Sequence, residues 1–588
     1  MPEAKPKKKI VWGCFKFFLY FILLMVLLFV VWLGFNLRSG PTDGQPLVEV
    51  SPKTTWLTGP MDSNGDVDYL EAINLRCAEG VTTENNAFVK LFQVIGPIPN
   101  DAETTNAIAK RLGIDPPQED GNYFQEFEAW LVQEGQRRRD ESWERETEEL
   151  MGEDDPLAVP KSELEFAPIE NVQESRKKME RVLSQYVFAE LNPWSSSDFP
   201  EVEKWRKLHE PLMNVAREGI DRSHYYYPLV SDGAPRVMNA SLYYTKDISK
   251  LSWYFSLNAM NRLHEGDVDG CIEDLKSQFR LAIHISKGPT LVEELRGIAT
   301  VGRVLDGVAS VCASEKADAQ ELKNLLRWVN EMEMIGGAGQ RVDQTERLVG
   351  LDAAVSMARG NMGVTGAASS MEFGIQMFSR IVEWEEVLQI MNANYDRMAE
   401  AAKIEDPQQA RDAQAVLEQE LVENEKWVVD NMTIAALKGR RAKGIWLGRM
   451  LSGMLLPAAD QIFDSENANK TKHAMLKMAI AASIYKKENG QYPAALSGLV
   501  PQYLDALPAD PMEAIDPSAP VDKPFEYQVI ENGIRIQSTG WSPDVVRHEK
   551  RFIELRQNIW EEPKEEDDSF EDSFSPDSPQ PLPSPAGN

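Results

Sequence analysis

The sequence predicts a mainly α-helical protein: an N-terminal transmembrane helix, a large helical body of bundle or tetratricopeptide-like hairpins, a small C-terminal α+β module and a disordered acidic tail. Three observations carry that expectation. An uncharged run, Phe17 to Leu37, stands near the N-terminus. Apolar residues recur at spacings of three and four through most of the middle of the chain. One stretch near the C-terminus, 525–537, instead alternates apolar and polar residues around an Asn-Gly pair.

The uncharged run would rise about 31 Å as a helix, enough to cross a hydrocarbon core of about 30 Å. Trp12 and Phe15 at one end and Trp32 and Phe35 at the other suit the two interfaces, and Lys16 can snorkel back to the headgroups. The run is too long for a cleaved signal peptide, and Leu33 to Gly40 offers no small-residue cleavage site. Lys5, Lys7, Lys8, Lys9 and Lys16 precede the apolar core, whereas only Arg38 and Lys53 follow it closely. The positive-inside rule then puts the N-terminus in the cytoplasm and the body on the outer face of the cytoplasmic (inner) membrane.

The expected organisation is a basic cytoplasmic tail at 1–9, the transmembrane helix at 10–37 and a stalk at 38–60. An N-terminal helical region and charged linker (61–155), a helical body (156–460) and the C-terminal module (461–545) follow. A terminal helix (546–560) and a disordered Ser/Pro-rich acidic tail (561–588) complete the chain. A length of 588 residues is too great for one core, so two or three packed units are expected. The formal charge of −31 repels nucleic acid and favours basic partners. Four cysteines (14, 77, 271 and 312), none spaced as CxxC, exclude a disulfide framework. One bridge, Cys271–Cys312, stays open beside buried free thiols.

Within the body, Leu70, Ile73 and Cys77 share a helix face, and Thr83 is placed to cap a second helix carrying Phe88, Leu91 and Ile95 up to Gly96-Pro97. Ile248, Leu251, Phe255, Ala259 and Leu263 predict a helix ending at Glu265-Gly266-Asp267. Val268, Cys271, Leu275, Phe279 and Ala282 predict the next, and Leu291, Leu295, Ile298, Gly302 and Leu305 a third. The short breaks imply antiparallel neighbours. The first two are similar to one tetratricopeptide-type hairpin, without the recurrence of about 34 residues that would make an array. Met377, Ile381, Trp384, Leu388, Met391, Tyr395 and Met398 form a heptad seam. The expected partner is the helix bearing Leu417, Leu421, Val428 and Met432, and an ordinary core helix is favoured over an oligomer through 377–398.

In the C-terminal module a helix to Asn489-Gly490 carries Leu476, Ile480 and Ile484 on one face, and Asn532-Gly533 is expected at the tip of a hairpin. The order Asn489, Gly490, Tyr492, Pro493, then Leu496, Leu499, Leu504, Pro508, Asp510, Pro511, and finally Tyr527, Ser538 and Gly540 resembles the globular part of type II secretion major pseudopilins. The resemblance covers about 75 residues and implies a helix on a small antiparallel sheet. That family joins its helix directly to a membrane stem and follows the S-x-G with an Asp-rich calcium loop. Here the stem is absent from the module and only Trp541-Ser-Pro-Asp544 follows. From 55 to 545 the chain also looks like a family of large membrane-anchored proteins of planctomycete-type bacteria. Gly59-Pro60, Val67-Asp68-Tyr69, Ala72-Ile73-Asn74, Gly80-Val81-Thr82, Tyr226-Tyr227-Pro228, Gly288-Pro289-Thr290-Leu291, Glu383-Trp384 and Tyr395-Asp396-Arg397 carry that likeness. It implies an envelope location and no particular activity.

No catalytic, cofactor or metal residues emerge. Asp62-Ser-Asn64-Gly-Asp66-Val-Asp68 fails the EF-hand register at Val67 and Ile73 and reads as a polar turn before a helix. His209-Glu210 and His264-Glu265 lack the second histidine of a zincin. Ser483-Ile-Tyr-Lys486 matches S-x-x-K without its companion motifs. Glu383, Glu385 and Glu386 read as the solvated edge of the heptad helix. The functional expectation is a membrane-anchored structural or interaction protein of the cell envelope, with protein partners and possible duty as an accessory of a secretion or pilus-like machine. The alternative is a hydrolase-like envelope enzyme with a carboxylate-based site.

Overall fold

The computed structural model describes residues 44–135, 137, 169–231, 233–240, 242–337, 341–361, 379–401, 403–404, 407–455, 458–511, 525–531, 533–538 and 552–556. Among these, the chain is mainly helical, and no helix is long and apolar enough to cross a membrane. The anchor expected at 10–37, most of the charged linker and the acidic tail lie outside the described residues.

The first helices among the described residues are three short ones, α1 (Tyr69–Cys77), α2 (Ala87–Ile95) and α3 (Ala102–Leu112). Asp68 caps α1 by accepting from the Glu71 amide, as the polar-turn reading requires. Thr83 does not cap α2. Asn86 does, accepting from the Phe88 amide, while the Thr83 hydroxyl donates to the Leu112 carbonyl. The expected stalk is also corrected: Leu47, Val48, Thr54 and Thr55 are buried, and Asn392 donates to the Thr54 carbonyl at 2.7 Å. Its apolar side chains find the body, so this stretch has no reason to stand free.

Two long helices, α4 (Ile169–Ala189) and α5 (Pro200–Ile220), lead to the predicted hairpins α6 (Tyr243–Glu265), α7 (Val268–Ser286) and α8 (Leu291–Ala313). Gly266 ends α6 at φ +85°, and Thr290 and Glu293 form a capping box at the start of α8. The antiparallel run is tight because small residues line it. A Cβ at Gly297 would lie 2.8 Å from the Ala282 carbonyl oxygen. Cys271 and Cys312 are both free and buried.

Helix α9 (Ala319–Glu331) follows, then a π turn (Val342–Glu346) running into α10 (Arg347–Arg359). Next come α11 (Trp384–Ala401), α12 (Pro407–Leu437) and α13 (Arg440–Leu455). Trp384, Leu388, Met391 and Tyr395 of the heptad seam are buried within the chain, Ile381 precedes the helix, and Met377 lies outside the described residues. The expected partner is corrected. Helix α11 packs chiefly on α13, and α12 packs on α13 instead of along α11. Gly444 and Gly448 decide this: a Cβ at 444 would overlap the Glu383 carbonyl oxygen, and one at 448 would sit 3.1 Å from Val387. Only the glycine face of α13 lets two helix backbones come so close.

Helix α14 (Ala458–Asn489) packs on α8 and α9 and carries a three-stranded antiparallel sheet in the order β1 (Glu526–Ile530), β2 (Gly533–Gln537), β3 (Phe552–Arg556). The helix-on-hairpin arrangement follows the sequence pattern. Ile530 pairs with Gly533, so Gly533, expected at the tip with Asn532, instead opens β2. In place of the terminal helix expected at 546–560, the described part of that stretch, 552–556, is β3, whose Ile553 and Leu555 are buried beside Ile534 and Ile536. With Ile553 and Leu555 facing the core, β3 pairs the side of β2 that a helix there would leave open. The buried apolar residues form one cluster from Leu47 to Leu555, so the module shares its core with the body.

Candidate interaction groove

Helices α11 and α13 run side by side in the same direction, with Glu383 donating its amide to the Arg440 carbonyl. Helix α12 runs the opposite way and is fastened to α13 by the Trp446 indole donating to the Val428 carbonyl and the Asn424 amide to the Arg449 carbonyl, both at 2.9 Å. Because α11 and α12 both lean on α13 and little on each other, they leave a half-open groove of about 880 Å³ between them. Ile445 and Trp427 line its floor, and Ile390, Met398, Leu417 and Leu421 its sides, all half-buried. The Arg449 guanidinium lies 4.3 Å from the Trp427 ring centre.

The rim is acidic. Glu386, Asp396, Glu420 and Glu423 face Arg397 and Arg449. Arg397 pairs with Glu420 at 2.6 Å, and Glu386 with Arg441 at 2.7 Å. Asp396, 60% exposed, pairs with Arg347, which is buried under Trp56 and also holds Asp343. Sequence reading had picked out Met398 on the heptad helix and Leu417 and Leu421 on its expected partner, and had missed Trp427 and Arg449. The available signal was the Gly444-x3-Gly448 spacing, which marks a close helix crossing.

A second opening of about 620 Å³ lies beside Pro97, Pro99, Tyr123, Phe124 and Tyr243. Lys250 sits within it between Glu126 and Asp247, and burial raises the Asp247 carboxyl against the pull of Lys250. Both carboxylates are therefore held by an ammonium of the same chain.

The other sequence candidates serve structural ends. In the acidic turn, Asp62 accepts from the Asn64 and Asp66 amides, Asp66 pairs with Arg359, and Asp68 pairs with Arg236. His209 is buried, its Nδ1 against the Trp205 carbonyl, its Nε2 accepting from the Gln125 amide, and burial lowers its pKa. His264 stands in the last turn of α6. The Ser483 hydroxyl donates to the Ala479 carbonyl of its own helix, and Lys486 pairs with Glu315. Glu383 and Glu386 pair with Arg440 and Arg441 at the start of α13. Among the described residues, no group of three or more His, Cys, Asp or Glu is placed to hold a metal ion.

Burial pushes Glu293 and Glu294 each up to about 7, with Arg341 opposing, and also raises Glu346. Glu293 is committed to the α8 capping box, accepting from the Thr290 amide and hydroxyl. In the C-terminal module two pairs from the sequence pattern, Asp510 with Ser538 and Tyr527 with Pro493, meet. Asp510 accepts from the Ser538 and Thr471 hydroxyls, the Tyr527 hydroxyl donates to the Pro493 carbonyl at 2.8 Å, and Asn489 donates to the Tyr485 carbonyl. Comparison with protein-family models, curated proteins and solved structures returns no match to this chain.

Proposed function

We propose that this chain is a membrane-anchored structural or interaction protein of the cell envelope, which docks a helix of a protein partner in the groove between α11 and α12. The observation carrying this reading is the groove itself: six half-buried apolar side chains line an open channel. Open channels lined by apolar side chains are suited to laying in an amphipathic helix. The anchor at 10–37, with the N-terminus in the cytoplasm, supplies the location. On this reading the C-terminal module, with its pseudopilin-like pattern, is a recognition head of a secretion or pilus-like machine, and its motif residues hold the head together.

The reading is tested with a photo-crosslinking residue placed at Ala393 or Leu421 of the full chain in its native membrane, with exposed Leu75 and Leu208 as control positions. A discrete adduct from the groove positions alone, with the one from Ala393 lost on Leu421→Asp, supports docking. Adducts of equal pattern from all four positions, or none, overturn it. A cytoplasm-only reporter fused after residue 588 should be silent, and strong activity would refute the topology.

The second reading, a hydrolase-like envelope enzyme, has one observation in its favour, the cleft that holds Glu126, Asp247 and Lys250. Lys250→Met would release both carboxylates there, and a gain or loss of hydrolysis of envelope polymers would bring this reading forward.

A further inference from the structure

We infer that the helix docked between α11 and α12 is cationic: an amphipathic segment with one apolar stripe flanked by Lys or Arg. This inference rests on the docking reading and adds to it the chemistry of the partner.

Charge complementarity is the argument. Four carboxylates and two guanidinium groups stand around the groove. Both guanidinium groups are already engaged within the chain, Arg397 by Glu420 and Arg449 by the Trp427 ring, and Glu386 is paired with Arg441, which leaves Asp396 and Glu423. Glu423 is exposed on the rim, and its one described bond comes from the neutral amide of Gln419. Asp396 shares its cation, Arg347, with Asp343. An approaching helix therefore meets an apolar floor with its acidic excess on the rim at Asp396 and Glu423, on a chain whose net charge is −31. An acidic or neutral helix could bury the same apolar area, but an acidic one would bring like charges together as the groove loses water. Half-enclosed walls of low dielectric strengthen that discrimination, because field lines are focused into the cleft.

Size fixes the segment. The groove wall from Glu386 to Met398 is about 18 Å of helix, a little over three turns. A stripe at i, i+4, i+7 and i+11 covers that length, so four apolar side chains would engage the six of the groove.

The test uses the full chain in nanodiscs of zwitterionic lipid, with empty nanodiscs as the blank. The probes are three designed helices of about 18 residues sharing one leucine stripe, with Lys, Gln or Glu on the flanks. The expected result is that the Lys probe binds at least about tenfold tighter than the Glu probe. The difference should shrink with added salt, and Glu423→Lys should weaken the Lys probe alone. Since Glu423 is exposed, that variant should keep its fold, which circular dichroism checks. Equal binding of all three probes, abolished by Leu421→Asp, would overturn the cationic partner while leaving the groove as a docking site. Binding by none of them would overturn both.

Discussion

Helices α6–α8 and helices α11–α13 are each three consecutive helices with the same three-and-four apolar spacing, yet one set is a closed core and the other an open one. In α6–α8 the facing residues are buried on all sides, and several of the polar ones are paired inside. Asp274 is held by Arg217 and accepts from Asn258, while Gln278 donates to Ser256. In α11–α13 one pair of helices crosses so closely, at Gly444 and Gly448, that the third packs along only one of them. Its outer face carries Val422 and Val429, each 68% exposed. The difference teaches where binding can occur in a helical protein. A site needs apolar surface that the chain's own packing has left unfilled, and here close packing at one crossing creates the opening beside it.

The largest expected effect breaks the closed set. Phe255→Ala, in the middle of α6, should destabilise the chain by about 3–5 kcal/mol, whereas Leu421→Ala in the groove should cost about 1 kcal/mol or less, as half its area is already in water. Urea unfolding of the two variants checks this. Equal losses would make the groove wall part of the core.

Next is the crossing. Gly448→Leu should cost about 1–3 kcal/mol by overpacking against Val387 and Ile390, and should spread α11 from α13. Gly453→Ala on the same helix meets only the Asn424 side-chain nitrogen, at 3.5 Å, and should be neutral or stabilise by up to about 1 kcal/mol. Thermal unfolding of the pair sharpens the claim that one glycine face, not glycine content, shapes the groove.

The start of α8 should respond to pH. Glu293 and Glu294 are raised to about 7 by burial, so between their ordinary value near 4.5 and about 7 the folded chain binds more protons than the unfolded. Stability from these groups is then present at the acid end and lost as pH rises, with a slope up to about 1.4 kcal/mol per pH unit for each. His473, pushed down to about 4 by burial, works in the opposite sense below its ordinary value of 6.5. The useful measurement is therefore the difference between the wild type and Glu293→Gln, which share His473. The variant should gain relative stability as pH rises from 5 to 7.5. A constant difference would refute it.

The smallest effect separates the thiols. Cys77 is half-buried, and Cys271 and Cys312 are buried. A soluble thiol reagent should modify Cys77 in the folded chain and the other two only after denaturant is added. Prompt labelling of Cys271 would show that the α6–α7 hairpin opens readily.

The sequence by itself determined the helices of the middle of the chain, because an apolar stripe of period 3.6 has only one way to be buried. It also determined the breaks at Gly266 and Gly288-Pro289 and the hairpin that became β1 and β2. These rest on local chemistry: a left-handed glycine, a capping box, an alternating face. What only the tertiary structure decided was which stripe met which. The seam through Leu388 and Tyr395 could have faced α12, and a backbone approach permitted by two glycines gave it to α13 instead. Segment 44–57 carries too few apolar residues to signal packing, yet Asn392 and Arg347, far along the chain, hold it to the body. Strand β3 was as opaque, for its five residues form a strand only because β2 offered an edge. The groove belongs to this second class. An unfilled space has no residue of its own, and arises only where three helices cannot all pack along one another.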